Sequence, residues 1–238
     1  MYYAALDLSG NEAFFAITDK NYTVLINEHK PFTGRTSSQL TPWLIELLER
    51  ENISLKNIEK WTIGSGPGSF TGLRLVASLV SGLCFGRKNV ARCVPSAIAI
   101  TGALPSKKIT SLKNNDKVAV YFNGFNNELL LFSLQFKHGN LHPIDNGELV
   151  LNNESFNSIN DGILISPYDN NKTLNFDFSL SICLSKDYEQ IKAIMPAEQL
   201  SNIIKIDSLN IISLIKNSTI EFDNNLSKLE YIRPAAYK

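Results

Sequence analysis

Ile63-Gly-Ser-Gly-Pro-Gly-Ser-Phe-Thr-Gly-Leu-Arg74 decides how the rest of the chain is read. Four glycines and a proline follow a short apolar run, Trp61–Ile63, and an apolar stretch of helical character, Leu73–Phe85, follows directly. Glycine permits tight, positive-φ turns, and Ser69 or Thr71 can cap the helix by accepting a hydrogen bond from its free backbone N–H groups. A helix start of this kind can also attract an anion. The segment is not a P-loop, because no Gly-Lys-Ser/Thr follows at the required spacing. Nor is it a dinucleotide fingerprint, because Gly64-x-Gly66 is followed by Ser69 where a third glycine is needed. Spacing leaves two readings open: a capped strand-to-helix turn that holds two elements together, or a loop that contacts phosphate.

Upstream, Tyr2–Leu8, Ala13–Thr18 and Thr23–Glu28 are short runs of aromatic and aliphatic residues divided by polar turns, which predicts a three-strand meander. Thr36-Ser-Ser-Gln39 fits a capping box. Leu40, Leu44, Leu47 and Leu48 then recur at helical spacing to about Asn52, with Pro42 in the first turns as a kink and Thr41 as an alternative cap. Downstream, Val90–Val94 reads as a strand and Ser96–Leu104 as a helix. Antiparallel strands followed by alternating strand and helix predict an α/β layered fold.

The composition bounds the function. In 238 residues, 23 Lys+Arg balance 23 Asp+Glu, which argues against bulk electrostatic binding of nucleic acid. The zero conceals a split, +4 over residues 1–110 and −4 over 111–238. No apolar run reaches the roughly 18–20 residues of a membrane span. The N-terminus lacks a secretory pattern, and three cysteines without C-x-x-C spacing suit a reducing, cytoplasmic setting. Cys84 reads as core packing. After residue 105 the character changes. Leu104–Asn115 is polar and broken by Pro105, a linker candidate, so the expected domains are 1–106 and 107–238, with the last segment packing back on the first. Val118–Phe122 and Leu129–Gln135 read as strands around an Asn123–Asn127 turn, Ile163–Ser166 as a short strand, and Ile203–Ile215 as a helix. His138-Gly-Asn-Leu-His142 has the i,i+4 spacing of a metal pair, but Gly139, Asn140 and Pro143 oppose the helix it needs, so no metal site is expected. Arg87–Arg92 and Lys107-Lys108 read as solvated surface charge.

Gly66-Pro-Gly-Ser-Phe-Thr-Gly-Leu-Arg74 resembles the signature of the TsaB (YeaZ) family of bacterial tRNA threonylcarbamoyladenosine biosynthesis proteins. Ala5-Leu-Asp-Leu-Ser9, Thr36-Ser-Ser-Gln-Leu-Thr-Pro42 and Glu230-Tyr-Ile-Arg233 resemble further family landmarks in the same order. The resemblance implies a two-lobed actin/sugar-kinase-like fold, each lobe a mixed sheet with helices. It implies a non-catalytic scaffold that partners TsaD, the threonylcarbamoyl transferase, alongside the ATPase TsaE, and that forms a homodimer when alone. It implies no tightly bound cofactor, with any ATP or ADP held at the complex with TsaD, and only indirect contact with tRNA. Asp7, Ser9, Gly66 and Gly68 would form a vestigial nucleotide site, and no catalytic residue is expected. The second-lobe turn, Phe122-Asn123-Gly124, has Asn where paired acidic design needs a carboxylate. Two first-lobe helices would carry the partner interface, through Leu40, Leu44, Leu48, Arg74, Ala77, Ser78, Ser81 and Gly82. The competing readings are an ATP-dependent phosphotransferase of actin-like or sugar-kinase-like type, with Asp7, Gly66 and Gly68 around the phosphates, and a self-associating homodimer of unrelated role.

Overall fold

The computed structural model describes residues 1–32, 38–123, 129–144, 157–159, 162–165, 178–195, 197–217 and 219–229. The capping box at 36–39 and the closing 230–233 element therefore lie wholly or partly outside the described residues, as does the 123–127 turn beyond Asn123. Two compact units make up the chain, Met1–Ala99 with Asn210–Lys238, and Ile100–Leu209. The changeover comes at 99/100 rather than 106/107, and the last segment belongs to the first unit.

The first unit is built on a five-stranded sheet of order β3-β2-β1-β4-β5. Strands β1 (Tyr2–Asp7), β2 (Glu12–Asp19) and β3 (Val24–Pro31) form the predicted antiparallel meander. Strands β4 (Ile58–Gly64) and β5 (Val90–Val94) extend it in parallel from β1. Helix α1 (Leu40–Arg50) lies with Leu40, Trp43, Leu44, Leu47 and Leu48 in one apolar core with Leu6, Phe15, Trp61 and Ile63. Each such buried side chain is worth about 1.5–3 kcal/mol over exposure. Pro42 falls in the first turn of α1, where its missing N–H breaks no hydrogen bond, so it neither kinks nor restarts the helix.

Helix α2 (Phe70–Cys84) buries Val76, Ala77 and Val80 on the same core and also buries Leu73, while α3 (Ser96–Thr101) follows β5 directly. Cys84 packs half-buried against this core, as expected. The returning segment completes the unit. Ala91 N–H donates to Asn224 Oδ1 (2.6 Å), and Asn224 N–H donates to Ala91 O (2.9 Å), which closes the open edge of β5.

The second unit repeats the plan. Strands β6 (Lys117–Asn123) and β7 (Leu129–Lys137) are antiparallel; β11 (Leu180–Leu184) and β12 (Ile203–Ile206) extend in parallel from β6. On the far side of β7 lie β8 (Asn140–Pro143) and β10 (Gly162–Ile165), and β9 (Asn157–Ile159) pairs with β10. Two elements differ from expectation. Residues 104–115 are not a plain linker, since α4 (Ser106–Thr110) forms within them behind Pro105. Ile203–Ile215 is not one helix: its first four residues are β12, Asp207 and Ser208 interrupt, and only α7 (Ile212–Lys216) is helical. The intervening α5 (Tyr188–Ile194) and α6 (Ala197–Leu200) follow β11. His138 and Gly139 take left-handed φ values of 50° and 81° in the β7–β8 turn, so the two histidines are not on a helix.

Candidate functional site

The 63–74 segment joins β4 to α2, and Ser69 rather than Thr71 is the cap, its Oγ accepting from Gly72 N–H at 3.4 Å. Only one of its glycines has the backbone conformation that favours glycine, Gly66 at φ +100°. The others are needed for space. A Cβ on Gly68 would overlap the carbonyl oxygen of Ser9, one on Gly72 that of Leu8, and one on Gly64 the Asp7 carboxyl. The loop thus lies directly on the β1–β2 turn.

Asp7 is the hub of this contact. Its side chain is fully buried. Oδ1 accepts from Ser9 N–H (2.8 Å) and Ser9 Oγ (2.7 Å), and Oδ2 accepts from Ser96 Oγ (2.5 Å). Ser96 Oγ in turn accepts from Gly66 N–H (3.2 Å), while Gly66 O accepts from Ser96 N–H (2.7 Å). Ser69 N–H donates to Ser9 O (2.7 Å) and Ser65 N–H to Val94 O (2.9 Å). Asp7, Ser9, Gly66 and Gly68 are therefore brought together as expected, but as a closed internal clasp. The N–H groups of Ser65, Gly66 and Ser69 and both oxygens of Asp7 are satisfied within the chain, and residues 61–68 are buried. The arrangement can fix two turns against each other, and it engages the N–H groups of Ser65, Gly66, Ser69 and Gly72 within the chain rather than offering them to a phosphate. Ser96 was missed from the sequence, although its place one residue beyond Pro95 at the end of a strand beside this loop is a usable signal.

The interface residues divide. Leu40, Leu44 and Leu48 are 1–4% exposed and Ala77 is 7% exposed, so these four face their own core and not a partner. The physical reason is the sheet beneath, which takes the apolar stripe of each helix. Arg74, Ser78, Ser81 and Gly82 are exposed, with Leu75 and Leu79 half-buried beside them and Phe85 at 87% exposure just past the helix end. The Arg74 guanidinium stacks 4.0 Å from the centre of the Phe70 ring. Among the described residues, a Cβ on Gly82 would meet nothing within 4 Å. In the second unit, Asn123 is the last residue of β6 rather than the first of the turn, and its backbone N–H reaches the carboxyl of Asp187, whose acidity burial weakens. Among the described residues no cluster of three or more His, Cys, Asp or Glu could hold a metal ion, and no helix is long and apolar enough to cross a membrane.

Comparison with known proteins places this geometry. Residues 26–159 match the model of the family described as TsaD: tRNA N6-adenosine threonylcarbamoyltransferase. The chain belongs to this family. A curated relative, tRNA threonylcarbamoyladenosine biosynthesis protein TsaB of Haemophilus influenzae, is 33% identical over 82 residues. That match spans about a third of each protein, 34% of this chain and 34% of the relative. Among solved structures, YeaZ from Pseudomonas aeruginosa superposes with a TM-score of 0.63 at 17% identity, over 90% of this chain and 88% of that one. The resemblance of this TsaD-family chain to TsaB (YeaZ) proteins is borne out, as is the expected fold class of two mixed sheets with helices, which the chain shares with YeaZ.

Proposed function

We propose that the chain takes part in tRNA N6-threonylcarbamoyladenosine formation as a non-catalytic scaffold and regulator of TsaD. The observation that carries this reading is Gly82. A glycine inside a helix costs about 1 kcal/mol against alanine, and here no neighbour among the described residues demands it. It lies in an exposed strip with Ser78 and Ser81, beside half-buried Leu75 and Leu79. Small residues flanked by apolar ones let a second helix approach closely. The internal clasp at Asp7 supports the same reading, because it uses the groups that would handle a nucleotide. TsaD is the proposed partner, with TsaE joining the assembly, ATP or ADP bound only there, and the same strip pairing two copies when TsaD is absent.

The test is co-purification with TsaD and the level of the modified nucleoside in tRNA from depleted cells. Ser78→Arg should abolish pairing and leave the fold intact. Gly82→Ala should stabilise the isolated chain by about 1 kcal/mol and weaken the pair. Undiminished pairing by Ser78→Arg would assign the wrong face, and turnover of Mg-ATP by the isolated chain would overturn the scaffold reading.

A further inference from the structure

The first unit's sheet has a second face. Strand register places Tyr3 between Thr18 and Lys60, and Ala5 between Ala16 and Thr62, which pairs with Arg92. The period of two puts these side chains opposite the core that holds Leu6, Trp61 and Ile63. Toward the starts of β1 and β4, away from the Asp7 clasp, this face carries a cleft of about 420 Å³ lined by Tyr3, Tyr22, Lys60, Thr62, Arg92 and Phe222. That size falls within the roughly 300–1,000 Å³ of small-molecule pockets and far exceeds a bare oxyanion.

Its charges are unbalanced. Lys60 Nζ lies 4.9 Å from the Tyr3 ring centre and 5.2 Å from that of Phe222, and the Arg92 guanidinium lies 4.3 Å from the same Phe222 ring. Two cations thus share one ring, and among the described residues neither pairs with a carboxylate. Arg92 is 3% exposed. Nε donates to Thr62 Oγ1, Nη1 to Ile220 O, and Nη2 to Leu214 O and Ile215 O, at 2.6–3.1 Å. Of the five N–H groups of a guanidinium, one on Nη1 is left without a protein acceptor among the described residues. Burial pushes the Arg92 pKa down to about 10. Exposed Glu221 is the one acid among the described lining residues, so their net charge of +1 suits a single acidic group rather than a polyphosphate. The Tyr22 ring, 45% exposed and 6.0 Å from that of Tyr3, offers a planar platform.

We propose that this cleft binds a small organic anion carrying a planar ring, its phosphate or carboxylate between Lys60 and Arg92 and its ring against Tyr22. The site is independent of the proposed pairing with TsaD, and the test uses the purified full chain alone. Titration by calorimetry with AMP and with 4-hydroxybenzoate separates phosphate from carboxylate. At least one should saturate with a dissociation constant below about 1 mM, and Lys60→Glu should weaken it at least about tenfold. Inorganic phosphate and adenosine should each bind at least about tenfold more weakly than AMP if AMP is the better probe. Should Lys60→Glu disturb the unfolding midpoint, Lys60→Met, which keeps the stem against Tyr3, carries the comparison. The proposal is overturned if neither probe saturates, if the Lys60 variant that retains the wild-type midpoint binds as tightly as the parent, or if the ring or the acidic group alone binds as well as the whole.

Discussion

Replacing Ser96 with alanine removes the pivot of the Asp7 clasp, and its cost follows from the bonds it holds. The buried hydroxyl donates to Asp7 Oδ2 and accepts from Gly66 N–H. A hydrogen bond to a charged group contributes roughly 1.5–3 kcal/mol, and one between neutral groups about 1 kcal/mol. Water has no ready access to replace either bond, because Asp7, Gly64, Gly66 and Ser96 are all buried. Ser96→Ala should therefore cost about 3 kcal/mol. Both tryptophans, Trp43 and Trp61, lie in the core of the same unit, so their fluorescence during urea unfolding reports on that unit. With a urea slope of about 2 kcal/mol/M, the midpoint should fall by about 1.5 M. Ser9→Ala is the control. It deletes only the Ser9 Oγ bond to the same carboxylate and leaves the Ser9 N–H bond in place, and because that bond is half-buried and water can take the place of the hydroxyl, the loss should be no more than the low end of that range, about 1.5 kcal/mol. A Ser96→Ala midpoint no lower than that of Ser9→Ala, at unchanged slope, would refute the clasp.

Two further substitutions probe other features. Gly68→Ala sets a Cβ against the carbonyl oxygen of Ser9, which is backbone and has little room to move, so it should cost about 1–3 kcal/mol in the same fluorescence assay. Asp187→Asn tests the second unit. Burial first of all holds the Asp187 carboxyl above its ordinary value, against the smaller opposing effects of Lys186 and the Asn123 N–H. A carboxyl raised in the folded state favours folding fully below its unfolded pKa and loses that contribution as pH rises through the folded value. Asp187→Asn should thus raise the stability of the second unit at neutral pH and have little effect near pH 3, as measured by amide hydrogen exchange of β6 and β11. A stabilisation equal at both pH values would exclude burial of charge as the cause.

What the sequence disclosed follows the range of the interactions. The 63–74 segment was legible because a glycine-rich turn, a serine cap and an apolar helix are all local features. Its use was less so: the glycines are there mostly because Ser9, Leu8 and Asp7 crowd them, and those neighbours are more than 50 residues away in sequence. Apolar spacing located α1 and α2 but could not say that Leu40, Leu44, Leu48 and Ala77 would be consumed by their own sheet. Ile203–Ile215 misled because a run of isoleucines satisfies strand and helix alike, and strand pairing with β11 decided the first half. Arg92 was read with its exposed neighbours Arg87 and Lys88, yet it is buried. A lone cation at the centre of Val90-Ala-Arg-Cys-Val94 was the available signal, and its carbonyl acceptors lie 122–128 residues further on.

The return of the last segment to the first unit has a consequence for synthesis. A ribosome completes β1 to β5 before it has made the residues that close the β5 edge or receive the Arg92 guanidinium. Until then the nascent first unit carries an unpaired strand edge and a charged side chain with only Thr62 as partner. The second unit, contiguous from Ile100 to Leu209, is made in one stretch. The half that is translated first is therefore the half that finishes folding last, and during that interval its open strand is the one most in need of protection from neighbouring chains.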